Sequence, residues 1–171
     1  MGQAIKKNKV EYIDRVHGNS KGWITRSCID ENGYSQWHYK YLELKETDLT
    51  GENIYITLNT FYKPCRRLEC IKELNFVYID LDYYKTKYTK EQVIMNLESN
   101  YFNKIIPATN YIIDSGRGLA LLWNINKVPS QALPLWKAIQ EYLYHQLKEF
   151  GADRQALDAT RILRVPGSIN S

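Results

Sequence analysis

Residues 75–84 read NFVYIDLDYY, an apolar run that turns acidic just as it stops. A strand has a side-chain period of two, so Asp80 and Asp82 fall on one face and Ile79 and Leu81 on the other. Two carboxylates so close repel each other, and a divalent cation offsets that repulsion where the pair lines a cleft. A hard cation such as Mg²⁺ takes oxygen ligands, keeps several waters, and is held by one or two carboxylates plus substrate phosphates. The other reading of the pair is a solvated strand end. The motif alone does not separate the two.

Working outward, residues 74–82 form the acidic strand. Residues 89–99 (TKEQVIMNLES) then open with Thr89 and place Gln92 three positions on, a capping-box signature, with Val93, Ile94 and Leu97 as a buried stripe. YIID, SGRG and LALLW follow as strand, tight turn and strand. The longest helix is expected over residues 130–150, capped by Ser130, with Pro134 tolerated in its first turn. Its apolar stripe is Leu135, Ile139, Leu143 and Leu147, and Gly151 stops it. Upstream, residues 22–30 and 53–61 have the β-branched and aromatic content of strands, and the first dozen residues read as a frayed polar lead-in. The order β-β-β-α-β-β-α-β predicts an α+β fold, an antiparallel-rich sheet with helices on one face, in which the last strand neighbours the acidic one. Residues 1–171 are read as one domain, and an end at Ile169-Asn170-Ser171 with no closing element suits a piece of a longer chain.

Of the 171 residues 44% are apolar and 25% charged, which excludes disordered and collagen-like classes. Apolar runs such as LALLW fall far short of the ~20 residues that span a bilayer, so a cytoplasmic protein without a membrane partner is expected. Cys28, Cys65 and Cys70 form no C-x-x-C, so neither a disulfide framework nor a zinc site is expected. The net charge of +4 is too small to identify a polyanionic partner. Its placement says more. Lys63, Arg66 and Arg67 precede the acidic strand as candidate DNA contacts, and Arg154, Arg161 and Arg164 cluster near the C-terminus. Tyrosines number fourteen and tryptophans four, enough to stack on bases, although most aromatics in a domain this size are core.

Two further constellations carry chemistry. In Ser115-Gly116-Arg117-Gly118 the glycines admit a ligand close to the backbone, turn N–H groups form an anion nest, and Ser115 and Arg117 add donors for phosphate oxygens; a plain hairpin turn is the alternative. In residues 157–170 (LDATRILRVPGSIN), Asp158 precedes Arg161 by three positions. Arg161 and Arg164 should alternate to opposite faces of an extended segment, and Pro166-Gly167 turns the chain so that Ser168 and Asn170 meet a nucleotide or a neighbouring strand. An Asp–Arg pair holding a terminal strand is the alternative there. Taken together, two acids, a phosphate-friendly turn and a third acid with arginines are what in-line attack on a nucleoside triphosphate requires.

The order D-h-D, then S-G-x-G-h-x-h-h-W, then D-x-T-R-h-h-R-h-P-G-S-x-N resembles the archaeo-eukaryotic primase superfamily. It is closest to the primase and primase-polymerase domains of plasmid and mobile-element replication proteins. The resemblance covers roughly residues 74–170 and reaches the N-terminal third only through NIYITLNTF and CRRLE. It implies a nucleotidyltransferase that makes primers on a single-stranded DNA template from NTPs or dNTPs, with Mg²⁺ or Mn²⁺ and a replicative helicase on the same or a separate chain. Asp80, Asp82 and Asp158 would be the catalytic metal ligands, with Asp153 the alternative third acid. Ser115, Gly116, Arg117 and Gly118 would be the nucleotide-binding turn, and Arg161, Arg164 and Asn170 would line the triphosphate or template side. One departure stands out: many members carry a second-motif histidine where this chain has Ala120, and His17, His38 and His145 all lie elsewhere. A DNA-binding initiator module without catalysis is therefore the rival. A nicking endonuclease of the His-x-His type lacks its motif here.

Overall fold

The computed structural model describes residues 2–168, with side chains from Lys9 onward, as an α+β protein built of helices and antiparallel sheets. The described chain packs as two compact units. One comprises the residues up to Asn75, Lys127–Ser130 and those from Ala159; the other comprises Phe76–Asn126 and Gln131–Asp158.

The first unit begins with helix α1 (Gly2–His17), where a frayed lead-in is expected from the sequence. Tyr12, Ile13 and Val16 explain the difference: they are buried on one helix face, and that apolar stripe outweighs the polar composition of the segment. Strands β1 (Ile24–Asp30) and β2 (Gly33–Tyr39) form a hairpin, α2 (Tyr41–Glu46) follows, and β3 (Ile54–Thr57) pairs antiparallel with β1. Residues 53–61 are two strands rather than one, β3 and the short β4 (Thr60–Phe61). The break falls at Asn59, whose buried amide donates to the Ala159 carbonyl at 2.9 Å and accepts from the Asn75 N–H at 2.8 Å. Strand β5 (Ile71–Leu81) starts here, paired to β4. The last strand, β8 (Ile162–Arg164), pairs with β3 and not with the acidic strand, giving the order β2-β1-β3-β8. Buried Ile24, Ile54, Ile56 and Leu163 supply the apolar face that decides this pairing.

Strand β5 runs on into the second unit, where its residues Phe76, Val77, Tyr78 and Ile79 are buried without alternation, as in a strand covered on both faces. Helix α3 (Lys90–Asn96) carries the expected capping box: Thr89 accepts from the Gln92 N–H and the Gln92 side chain accepts from the Thr89 N–H. Strands β6 (Tyr111–Asp114) and β7 (Leu119–Pro129) form the SGRG hairpin, and β7 lies between β6 and β5. The long helix α4 spans Leu133–Leu147, after a 3₁₀ turn over Ser130–Ala132, and has no side-chain cap at Ser130. Its buried face is Trp136, Gln140, Leu143 and Leu147, whereas Leu135 is 65% exposed and Ile139 37% exposed, so the stripe is rotated from the expected one. The cause is β5. Trp136 Nε1 donates to the Phe76 carbonyl at 2.8 Å, and the Gln140 amide both accepts from and donates to the Tyr78 backbone at 2.9 Å. An indole and an amide thus satisfy backbone groups that would otherwise be buried without partners.

Candidate active site

The acidic end of β5 is fixed by backbone pairing with residues 151–153. Leu81 bridges Ala152 in antiparallel fashion, the Asp82 N–H donates to the Gly151 carbonyl at 2.8 Å, and the Asp153 N–H donates to the Asp80 carbonyl at 2.8 Å. Asp80 and Asp82, two positions apart, are both half-buried. Strand geometry ends at Asp82, and Tyr83–Lys85 form a 3₁₀ turn that brings Lys85 Nζ to 2.6 Å from Asp82 Oδ2. That hydrogen bond holds the Lys85 ammonium above its ordinary pKa, so a positive charge already faces the carboxylate.

Two glycines make this approach possible. A Cβ on Gly118 would lie 2.7 Å from the Leu81 carbonyl oxygen and 3.6 Å from Asp82 Oδ1, so the SGRG turn lies directly against the end of the D-L-D motif. Gly151 has φ +81°, and a Cβ there would lie 2.6 Å from the Asp82 carbonyl oxygen. The turn itself is internally bonded. The Ser115 hydroxyl donates to the Gly118 carbonyl at 3.0 Å and accepts from the Gly118 N–H at 3.1 Å, while the Gly116 N–H donates to Asp114 Oδ1 at 2.8 Å. Gly116 and Gly118 therefore spend their N–H groups inside the loop, and the exposed donor it presents is Arg117. Lys90 Nζ, 2.9 Å from Asp114 Oδ2, holds that carboxyl below the usual range and pins the turn to the start of α3.

The third acid has two candidates in this unit. Asp153 stands across from Asp80 in the backbone pairing, and its carboxylate caps the 3₁₀ turn Arg154–Leu157 by accepting from the Gln155 N–H at 3.0 Å. Asp158 is exposed, and its carbonyl accepts from the Tyr78 hydroxyl at 2.7 Å, two residues before Asp80 on β5. Among the described residues no group of three His, Cys, Asp or Glu side chains is gathered as a metal cage. The donor set that is present, the carboxylates of Asp80 near the end of β5 and of Asp82 just beyond it, suits a hard divalent ion that takes its remaining ligands from phosphate and water. Ala120 is buried in β7 opposite Ile113.

The other sequence-predicted residues lie in the first unit. Arg164 sits opposite Tyr55 in the β3–β8 pairing, donates to its hydroxyl at 2.8 Å and stacks on its ring; Arg161 immediately precedes β8. Arg66 donates to the Thr160 carbonyl at 3.0 Å, to Gln36 and to the Tyr34 hydroxyl, so it braces the segment that leads into Arg161. Lys63 and Arg67 are exposed. Ser168 bonds the neighbouring strand, accepting from the Ile54 N–H at 2.9 Å, and Asn170 lies outside the described residues. Sequence reading missed Gln140, which also donates to the Ala156 carbonyl at 2.6 Å and so ties β5 to the turn before Asp158. Position 140 lies outside the expected repeat Leu135, Ile139, Leu143 and Leu147, so nothing in the sequence marked it.

No protein-family model matches the chain. It is 75% identical over all 171 residues to a replication protein of Clostridium perfringens and spans 42% of that protein's length. Among solved structures it is similar to the AEP domain of the cyanophage S-2L primase-polymerase, with a TM-score of 0.62 and 12% identity over 95% of this chain and 82% of that one. A close sequence relative that is a replication protein and this structural likeness lead to one conclusion: the chain has the archaeo-eukaryotic primase fold.

Proposed function

We propose that this chain is a primase or primase-polymerase domain that joins nucleotides on a single-stranded DNA template during replication of a plasmid or other mobile element. The observation that carries the reading is the placement of Gly118 against Leu81 and Asp82, which sets a nucleotide-type turn beside a pair of acids. Asp80 and Asp82 would hold Mg²⁺ or Mn²⁺, with Asp158 or Asp153 as the third acid. Bound there, the cation would lower the pKa of an attacking 3′-hydroxyl and neutralise charge on the triphosphate. Arg117, exposed at the tip of the turn, would meet phosphate oxygens as a point of positive charge. Gly118 keeps that tip close to the acids, and Lys85 would exchange its bond to Asp82 for substrate phosphate when the cation enters.

The rival, a DNA-binding initiator module without catalysis, draws on Ala120 and on the lack of a third gathered acid among the described residues. A primer-synthesis assay on single-stranded DNA with Mn²⁺ separates the two. Wild-type protein should make product and the double variant Asp80→Ala, Asp82→Ala should make none. Equal product from both, or none from either, defeats the catalytic assignment.

A further inference from the structure

We propose that one face of the β2-β1-β3-β8 sheet is a binding platform for single-stranded DNA, built from tyrosine–arginine pairs. The register assigns the faces. Ser27 pairs with Gln36 and with Tyr55, Ile29 pairs with Tyr34, and Tyr55 pairs with Arg164, so these residues share the face turned away from Ile24, Ile54 and Ile56. Its floor is small and hydroxylated: Thr25, Ser27 and Thr57 are fully buried. On the floor stand two aromatic–cation couples, Arg66 at 5.9 Å from the Tyr34 ring and Arg164 at 5.1 Å from the Tyr55 ring.

These rings are held in place. The Tyr34 hydroxyl lies 2.9 Å from Ser27 Oγ and 2.9 Å from Gln36 Oε1, and it accepts from Arg66 at 3.1 Å; the Tyr55 hydroxyl accepts from Arg164. Pre-positioned rings and guanidinium groups lose little freedom on binding. Tyr34 is 48% exposed. The four strands carry a single carboxylate, Asp30, and alternation sends it to the opposite face with Arg26 and Cys28. A face with two cations, two rings and an amide, to which the four strands contribute no acid, is complementary to an unpaired strand, whose phosphates take the charge and whose exposed bases take the rings. The choice of DNA over RNA rests on the function proposed above.

The test is fluorescence anisotropy of a labelled oligo-dT with the intact chain in EDTA, where metal-dependent chemistry is silent. Tyr34→Ala should weaken binding about tenfold, the usual effect of losing one base-stacking ring, while Tyr34→Phe keeps most of it. Arg66→Lys and Arg164→Lys separate the bidentate cations from mere charge. Neither tyrosine change should alter the slope of affinity against salt, whereas Arg164→Gln should reduce it by about 0.7. Trp37, 44% exposed but paired with Arg26 on the other face, is the internal control, and Trp37→Ala should bind as wild type. Equal affinity of Tyr34→Ala and wild type, an equal loss in Trp37→Ala, or undiminished binding of an abasic strand overturns the proposal. Tighter binding of oligo-U than of oligo-dT overturns the choice of DNA. Binding that behaves as expected in a protein that makes no primer leaves the platform standing and removes only the catalytic reading.

Discussion

At the level of single residues, Gly118 and Gly151 hold the acidic strand end from two sides, because only a residue without a Cβ lets backbone approach Leu81 and Asp82 this closely. Gly118→Ala should destabilise the fold by about 1–3 kcal/mol in urea unfolding and reduce primer synthesis disproportionately, since the added methyl meets a carbonyl rather than a flexible side chain. His17 is a second decisive residue. It is fully buried, its Nε2 lies 2.7 Å from the Thr57 carbonyl, and burial pushes its pKa down to about 4. The unfolded chain therefore binds the extra proton between pH 6.5 and 4, and the folded one does not. Stability should fall as pH drops through that window, by about 3 kcal/mol in full. Comparing urea unfolding of wild type and His17→Gln from pH 7 to pH 4 isolates the effect; parallel curves would refute it. The acids, the SGRG turn and the terminal arginines were legible as residue types at fixed spacing. His17 was not, because burial leaves no mark on a lone histidine.

Elements were legible where their signals are local. The capping box at Thr89 and the glycine-containing hairpin turn are satisfied by neighbours in sequence, so they survive folding unchanged. The face of α4 was misread because Leu135 and Ile139 match the helical period as well as Trp136 does, and nothing local reports that β5 offers open backbone groups to be capped. Gln140 is the clearest case, since a mid-helix glutamine reads as solvent-facing until the Tyr78 backbone is placed beside it. Gln140→Leu should cost about 3 kcal/mol, because it strands the Tyr78 N–H and two carbonyls in the interior. Thr89→Ala, which removes an exposed cap, should cost only about 1 kcal/mol. The order of these two losses in one denaturant series is the check.

For the molecule as a whole, no described helix is long and apolar enough to cross a membrane. The described cysteines are free thiols. On the function proposed above, chelation with EDTA should stop primer synthesis while leaving the thermal midpoint and far-UV circular dichroism unchanged, because the proposed cation would serve substrate chemistry and not hold the chain together; loss of structure on chelation would contradict that. The sequence by itself determined the order of the motifs, the spacing of Asp80 and Asp82 at the end of an apolar strand, and the α+β class, since periodicity and turn chemistry are local properties of the chain; Asp82 itself lies one residue past the end of β5, not on the expected strand over residues 74–82. Only the tertiary structure decided that β8 joins β3, that Gly118 backs onto Asp82, that Asp153 stands opposite Asp80, and that Arg66 and Arg164 share a face. Those are long-range pairings, selected by which apolar faces are buried together and by which buried backbone groups need a partner.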